Sequence, residues 1–373
     1  MGGRRFPISL AMIVRDEAAS LGRCLESVQG LVDEIVVVDT GSSDDTVAIA
    51  ESYGATVHHF TWVDDFAAAR NVSLAAASHP WRLVLDADNW VLDREHARAV
   101  LDRIGQQVPD FTGFLDVFQV RAEGTIDDGD VPDEEARLLP SQVRYTGRIH
   151  EQVTPKLSGI RLGIRLGHDG YTDAAMDRKD GRNADLLIAS LEDEPDNAYL
   201  WYQLGSEHVG RLQHEAAIAP LIQAFNLLHP GDGTPVAHAR APWAHKLVCR
   251  LMLALTEVGR HAESVAVGEM QATSWAASSG FHYILGCSVR AQALSLRDTD
   301  RGAAEELMIT SMGLWIHATT LEDRQEHGGV LKTRPTVLAA QRVAQDYATM
   351  GDLDSAERYR RLAEGEQIRK AGV

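Results

Sequence analysis

Glu34-Ile35-Val36-Val37-Val38-Asp39-Thr40-Gly41-Ser42-Ser43-Asp44-Asp45-Thr46 decides how the chain is read. The run Ile35–Val38 is β-branched and free of polar residues, as in a strand covered on both faces of a parallel sheet. A carboxylate closes the strand, Gly41 turns the chain, and Ser42 with Asp45 starts a helix in the manner of a capping box. A cap explains Ser42 and Asp45 but does not require Asp39. At the carboxyl end of a parallel strand, Asp39 faces the crevice where open α/β sheets bind ligands, and it can accept from ribose hydroxyls or a base N–H.

Working outward, Ile8–Val14, Ala55–Phe60 and Trp81–Leu85 also read as strands, and Ala18–Val28, Asp44–Tyr53 and Asp65–Ala77 read as helices. Alternation of this kind predicts βαβ units and an α/β domain. Thr112–Ala122 reads as a further strand, and the acidic segment Gly124–Glu135 as an exposed loop. After Tyr171 the strand signal ends and the rest reads as helices, so the expected domains are 1–172 and 173–373. Three places pair a helix-ending glycine with a small-residue helix start: Gly210 with Ala216, Gly259 with Ala262, and Gly351 with Ser355-Ala356. These resemble degenerate tetratricopeptide-type helical hairpins at irregular spacing.

A second acidic strand end is Leu83-Val84-Leu85-Asp86-Ala87-Asp88. Side chains two apart on an extended backbone share a face, so Asp86 and Asp88 converge if the strand geometry persists. A divalent cation relieves their repulsion, and Mg²⁺ or Mn²⁺ prefers carboxylate and diphosphate oxygens. His150 and His168 follow the α/β portion and are candidates to return to that ion, while His58-His59 reads as structural. Neither G-x-G-x-x-G nor a P-loop nor a G-x-S-x-G elbow occurs. The tryptophans at 201, 243, 275 and 315 fall at helical positions and read as core.

Thirty-six Lys and Arg against fifty-four Asp and Glu leave a formal charge of −18, which opposes sequence-independent binding to nucleic acid. Cys24, Cys249 and Cys287 lie far apart and form neither a zinc ribbon nor a disulfide framework, so a reducing, cytoplasmic setting is expected. The apolar start Phe6–Val14 runs into Arg15-Asp16-Glu17 without a cleavage site and reads as a buried strand, not a leader. No apolar stretch approaches the ~18–20 residues needed to span a bilayer.

Taken in order, Ala11–Glu17, Val36–Thr46, Asp65–Asn71 and Leu85–Asp88 resemble the GT-A glycosyltransferases of family 2. Gly147-Arg148-Ile149-His150-Glu151, His168-x-Gly170-Tyr171 and Lys179-x-x-Arg182-Asn183 are similar to the subgroup with a C-terminal tetratricopeptide-like region, which includes peptide S-glycosyltransferases. The resemblance implies a Rossmann-like mixed sheet followed by an all-α repeat region. It also implies inverting transfer from a UDP-sugar with a metal-bound diphosphate leaving. On that basis Glu17 and Asp39 hold the uridine, Arg70 sits near the nucleotide or sugar, Asp86 and Asp88 hold sugar and metal, and His168 is a third ligand. Ser42 lies at the nucleotide turn, and Lys179 and Arg182 close over phosphate or form a solvated helical face. Glu151 is the first candidate base, Glu134 or Glu135 the second. Asn89 stands where the family usually continues Asp-x-Asp with an acidic residue. Stacked helical hairpins suit a peptide or protein acceptor, or a homodimer. The alternatives are a polysaccharide or small natural-product acceptor, or a nucleotide-binding scaffold without turnover.

Overall fold

A computed structural model describes residues 7–104, 110–120, 125, 132–169, 181–229, 243–322, 330–331 and 333–371, with side chains to 365. Two compact units emerge, one from Met1–Ile126 with Pro132–Leu186, the other chiefly from Leu187–Val373.

The first unit is built on β1 (Ile8–Val14), β2 (Glu34–Asp39), β3 (Thr56–His59), β4 (Trp81–Val84), β5 (Asn89–Val91), β6 (Phe111–Gln119), β7 (Asp133–Pro140) and β10 (Ser158–His168). They form one sheet in the order β3-β2-β1-β4-β7-β6-β10-β5, and β8 (Arg144–Thr146) and β9 (Gln152–Thr154) form a small second sheet. β1 to β4 are mutually parallel; β7 runs antiparallel to β4 and β6, and β5 antiparallel to β10, so the sheet is mixed. Both faces are covered, as the unbroken hydrophobic runs predicted. Ile8, Leu10, Met12 and Val14 pack with Leu21 and Leu25 of α1 (Leu21–Ser27), while Ala11 and Val84 pack with Ala67 and Leu74 of α3 (Phe66–Ala76). α2 (Thr46–Ser52) and α4 (Arg94–Ile104) complete this unit's early helices.

Two expectations are corrected. Asp133, Glu134 and Glu135 belong to β7, not to an exposed acidic loop, with Glu134 paired to Arg161 and Glu135 to Arg137; the rest of that segment, apart from Thr125 and Pro132, lies outside the described residues. The first helix begins at Leu21, three residues later than Ala18, since Glu17 folds a turn that accepts from the Ser20 and Leu21 N–H groups at 3.1 and 2.9 Å.

The chain continues as α5 (Arg182–Asp193), and the second unit is helical: α6 (Ala198–Gly210), α7 (His214–Leu228), α8 (Ala244–Glu257), α9 (His261–Gln271), α10 (Ser279–Leu296), α11 (Arg301–Thr320), α12 (Pro335–Met350) and α13 (Leu353–Ala371). Successive helices pair as hairpins around a core that includes Leu221, Leu247, Phe281 and Trp315. Gly259 and Gly351 end α8 and α12 in the left-handed region, at φ of 82° and 83°, which is the cap a helical hairpin needs. Gly210 does not; it is the last helical residue of α6, and Leu212 takes the left-handed conformation instead. The small-residue reading is also adjusted. Ala356 is buried, but Ala216 and Ala262 are exposed, and close approach between α6 and α7 occurs at Gly205, where a Cβ would lie 2.5 Å from Leu221 Cγ. Arg290 ties α10 to α12 through two bonds to Asp346, at 2.9 and 2.5 Å, with its guanidinium over Trp315. Among the described residues, no helix is long and apolar enough to cross a membrane.

Candidate active site

The loops leaving β1 and β2 are stitched together at the carboxyl edge of the sheet. Asp16 N–H donates to Ser42 Oγ at 3.0 Å and Ser43 N–H to Asp16 Oδ1 at 2.7 Å; Glu17 N–H donates to Thr46 Oγ1 at 2.7 Å and Ala18 N–H to Asp44 Oδ2 at 3.0 Å. Asp39 sits beneath this lattice. Its Oδ1 accepts from Ser42 N–H at 3.0 Å and its Oδ2 from Gly41 N–H at 3.3 Å, and His59 Nδ1 lies 3.3 Å from Oδ2. Burial pushes the Asp39 carboxyl up, but hydrogen bonds from Ser42, His59 and Gly41 outweigh it and hold it below the usual carboxylate range. The side chain is 6% exposed, so Asp39 organises the turn and shows little surface of its own. Ser42 serves the Asp16 N–H, not a capping box; the N-cap of α2 is Asp45, whose side chain makes no cap bond. Glu17 accepts from the Ser20 hydroxyl at 2.6 Å.

β1 lies between β2 and β4, so Asp39 and Asp86 leave the same edge of the sheet on strands two spacings apart, about 10 Å. Asp86 is gripped from both sides. Its Oδ1 accepts from Arg70 at 2.8 Å and its Oδ2 from Arg137 at 2.8 Å. Behind these cations, Arg70 Nε donates to Glu151 and Arg137 Nε to Glu135 at 2.7 Å. Burial alone would raise the Asp86 carboxyl, yet the Arg137 and Arg70 guanidiniums prevail and hold it well below the usual carboxylate range. For both arginines, burial is outweighed by the carboxylates around them, and each guanidinium is held more firmly protonated. Tyr145, beneath Arg70, is pushed up to about 12 by burial.

Local sequence explains how Arg70 arrives. Asp65 caps α3 by accepting from Ala68 N–H at 2.8 Å. Asn71 then clasps the Tyr145 backbone, donating to its carbonyl at 2.9 Å and accepting from its N–H at 2.8 Å, which docks α3 on β8. The positive-φ residues Asp16, Asp64 and His150 lie in the loops around this region, at φ of 53°, 56° and 49°. Backbone strain of this sort clusters at functional sites.

Asp88 is set against His168. Its Oδ1 is 3.3 Å from His168 Nδ1, and the same nitrogen is 2.9 Å from Asn89 Nδ2. Asn89 Oδ1 accepts from the Asp86 N–H at 3.1 Å, so its amide nitrogen points at the imidazole. Nδ1 accepts from that amide in the neutral ring and turns to Asp88 when protonated; burial disfavours the charged ring, but the Asp88 hydrogen bond and the charges of Asp88, Asp86 and Glu135 raise its pKa. Among the described residues, no three His, Cys, Asp or Glu side chains converge as a metal site. Asp88 offers a hard carboxylate donor for a divalent cation shared with phosphate, and His168 Nδ1, 3.3 Å away, would join it on giving up the Asn89 amide, since neighbouring ligands at ~2.1 Å from an octahedral ion lie about 3 Å apart. Asp86 has an arginine on each oxygen and does not join that pair.

The structure therefore brings together Arg70, Asp86 and Glu151, and separately Asp88 and His168, with Glu17, Asp39 and Ser42 along the same sheet edge. Glu134 pairs with Arg161 at 3.2 Å, away from the Asp86 cluster. Arg182 lies over the Phe66 ring, 5.2 Å from its centroid, and Lys179 falls outside the described residues. Sequence reasoning missed Arg137, the tie that Asn89 makes, and the reach of His59 to Asp39. Only the strand position of His59, opposite Asp39 in the β2–β3 register, signalled such a contact.

Residues 9–119 match the family model described as glycosyl transferase family 2. A TPR repeat-containing protein of Synechococcus elongatus is 38% identical over 226 residues, covering 55% of this chain and 53% of that protein. The SPbeta prophage-derived glycosyltransferase SunS of Bacillus subtilis is 26% identical over 229 residues, covering 59% of this chain and 53% of SunS. An uncharacterized glycosyltransferase of Rickettsia felis is 41% identical over 81 residues, 22% of this chain and 28% of that one. The chain thus spans about half the length of the first two of these curated relatives. With a mixed sheet whose acidic strand ends meet at one edge, residues 9–119 form a glycosyl transferase family 2 domain, and the chain joins it to a TPR-like helical region.

Proposed function

We propose that the protein transfers a sugar, with inversion, from a UDP-sugar to a side chain of a peptide or protein. The observation that carries this reading is the segregation of two adjacent carboxylates: Asp86 fixed between Arg70 and Arg137, Asp88 set against His168. On this reading Asp86 would orient sugar hydroxyls and Asp88 would serve a cation that stabilises the leaving diphosphate. Asp88 and His168 would hold Mg²⁺ or Mn²⁺, and the bound ion would supply positive charge to the departing diphosphate. Glu17, Asp39 and the Ser42 turn line the nucleotide side of the crevice.

In the transfer, the acceptor oxygen or sulfur attacks the anomeric carbon as its bond to the diphosphate oxygen breaks, and a carboxylate removes the acceptor proton. Glu151 is 12% exposed and committed to Arg70, which suits it to hold that arginine. Glu135 is likewise bonded to Arg137 but is 40% exposed, so it is the more accessible of the two candidate bases. The paired helices of the second unit favour a polypeptide acceptor, because helical-hairpin arrays present extended surfaces to peptides.

The test is a panel of nucleotide-sugars with the full chain, Mn²⁺ and a small Cys- and Ser-containing peptide, following donor consumption and peptide mass. Consumption of one donor that stops on chelation and returns with Mn²⁺ is expected. Indifference to every donor, or turnover unaffected by chelator, contradicts the reading.

A further inference from the structure

We propose that Arg137 is a positioning residue for the donor's sugar moiety: it fixes the plane of the Asp86 carboxylate so that the lone pairs left free are aimed at sugar hydroxyls. The proposal rests on the glycosyl-transfer reading above and assigns a residue that the family-2 resemblance of the sequence does not reach, since Arg137 lies outside the matched residues 9–119.

Arg137 reaches the site through an irregularity. In the β6–β7 ladder, Gly113 pairs with Leu138 and Phe114 with Ala136, which leaves Arg137 as an extra residue on β7. A bulge of this type bends the strand and re-aims one side chain. The opposing position admits no side chain: a Cβ on Gly113 would lie 2.7 Å from Leu162 Cδ1 and 2.8 Å from Leu138 Cβ. Ladder bonds are thus given up at a crowded point of the sheet, and the result is a guanidinium directed at Asp86.

Charge balance among the two guanidiniums and the carboxylates of Asp86, Glu151 and Glu135 does not by itself fix the geometry, which the pattern of bonds sets: Arg70 bonds Asp86 Oδ1. Arg137 adds a second cation on the other oxygen while Nε and Nη2 grip Glu135, so the fork spans two carboxylates and is itself immobilised. A carboxylate offers about four lone-pair directions. With one on each oxygen taken, the others are fixed in space, and the Asp86 side chain remains 32% exposed, open to a ligand from the crevice. The Cys24 thiol meets the Asp86 backbone, 3.6 Å from its carbonyl oxygen. Lysine in place of Arg137 would retain charge but not the planar fork.

Calorimetric titration of a nucleotide-sugar and of its free nucleoside diphosphate, each with Mn²⁺, into the wild-type chain, Arg137→Lys and Arg137→Met separates the roles. Both variants are expected to bind the nucleotide-sugar about tenfold more weakly, as for loss of one charge-assisted hydrogen bond, and the nucleoside diphosphate as the wild type does. Equal weakening for both ligands, or no weakening in a folded variant, overturns the proposal. Should Arg137→Met not fold, Arg137→Lys alone decides, because it keeps the buried cation. A wild-type chain that binds neither ligand brings down the glycosyl-transfer reading and this proposal with it; a wild-type chain that binds both, with the variant pattern absent, removes only the role of Arg137.

Discussion

Asp88→Ala is expected to lower sugar transfer by on the order of 10²–10³-fold or more while leaving the thermal unfolding midpoint within a few degrees of wild type. The reasoning is local. Asp88 Oδ1 lies 3.3 Å from His168 Nδ1, and that imidazole keeps the Asn89 amide at 2.9 Å when the carboxylate is removed. The chemistry, by contrast, loses one of the two donors that would hold the ion against a departing diphosphate. Activity at Mn²⁺ saturation and a melting curve on the same preparation check both halves; near-normal turnover in a folded variant contradicts the assignment.

Asp86→Ala is expected to behave differently, losing transfer to a similar degree and also stability, by about 3 kcal/mol. Arg70 and Arg137 are 13% and 10% exposed, and both spend a guanidinium bond on Asp86. Removing that carboxylate leaves two cations close together in a poorly solvated space, with Glu151 and Glu135 as their remaining partners. The cost is set at the lower end of that for breaking a buried pair, because Asp86 itself is 32% exposed. Denaturant unfolding of the two alanine variants side by side reads the difference. Equal stability of Asp86→Ala and Asp88→Ala would show that the arginine grip contributes nothing to the fold.

These two carboxylates also mark how far the sequence reaches. The strand ends at Asp39 and Asp86 are legible because β1, β2 and β4 are buried on both faces, which forces continuous Val, Ile and Leu runs that stop where the chain meets solvent. β1 coincides with its run, and β2 extends the Ile35–Val38 run by one residue at each end. β7 was hidden for the opposite reason. Of its first residues, Glu135 pairs with Arg137 and Glu134 with Arg161, and such pairing leaves no trace in a hydrophobic pattern. β10 carries a period-two signal in Leu162, Ile164 and Leu166, all buried, but interspersed glycines and arginines disguise it, and its place between β6 and β5 depends on pairing across distant segments.

At the site, residue types were readable and partnerships were not. Asp86 and Asp88 were expected to converge on one ion, yet the chain leaves the strand at Val84 and Asn89 closes a turn back to Asp86, its N–H donating to the Asp86 carbonyl at 3.0 Å. The period-two rule therefore lapses before it reaches Asp88, and the two side chains take different partners. Arg137 carries no sequence signal of its own, since its direction depends on a bulge that exists only once β6 and β7 are paired. Asn89, in the position where the family usually has an acidic residue, is fully buried and holds the Asp86 backbone and the His168 ring together.

If the edge carrying Asp39, Asp86 and Asp88 is one crevice in which a cation meets the diphosphate of a sugar donor, a crystal structure of the full chain with Mn²⁺ and a nucleotide-sugar, with the manganese located by its anomalous signal, will show it. Manganese is expected at Asp88 and His168, the nucleotide toward Asp39, and the sugar against Asp86. Manganese or donor bound away from that edge, or a donor held there with Asp86 facing no part of it, would refute the shared crevice.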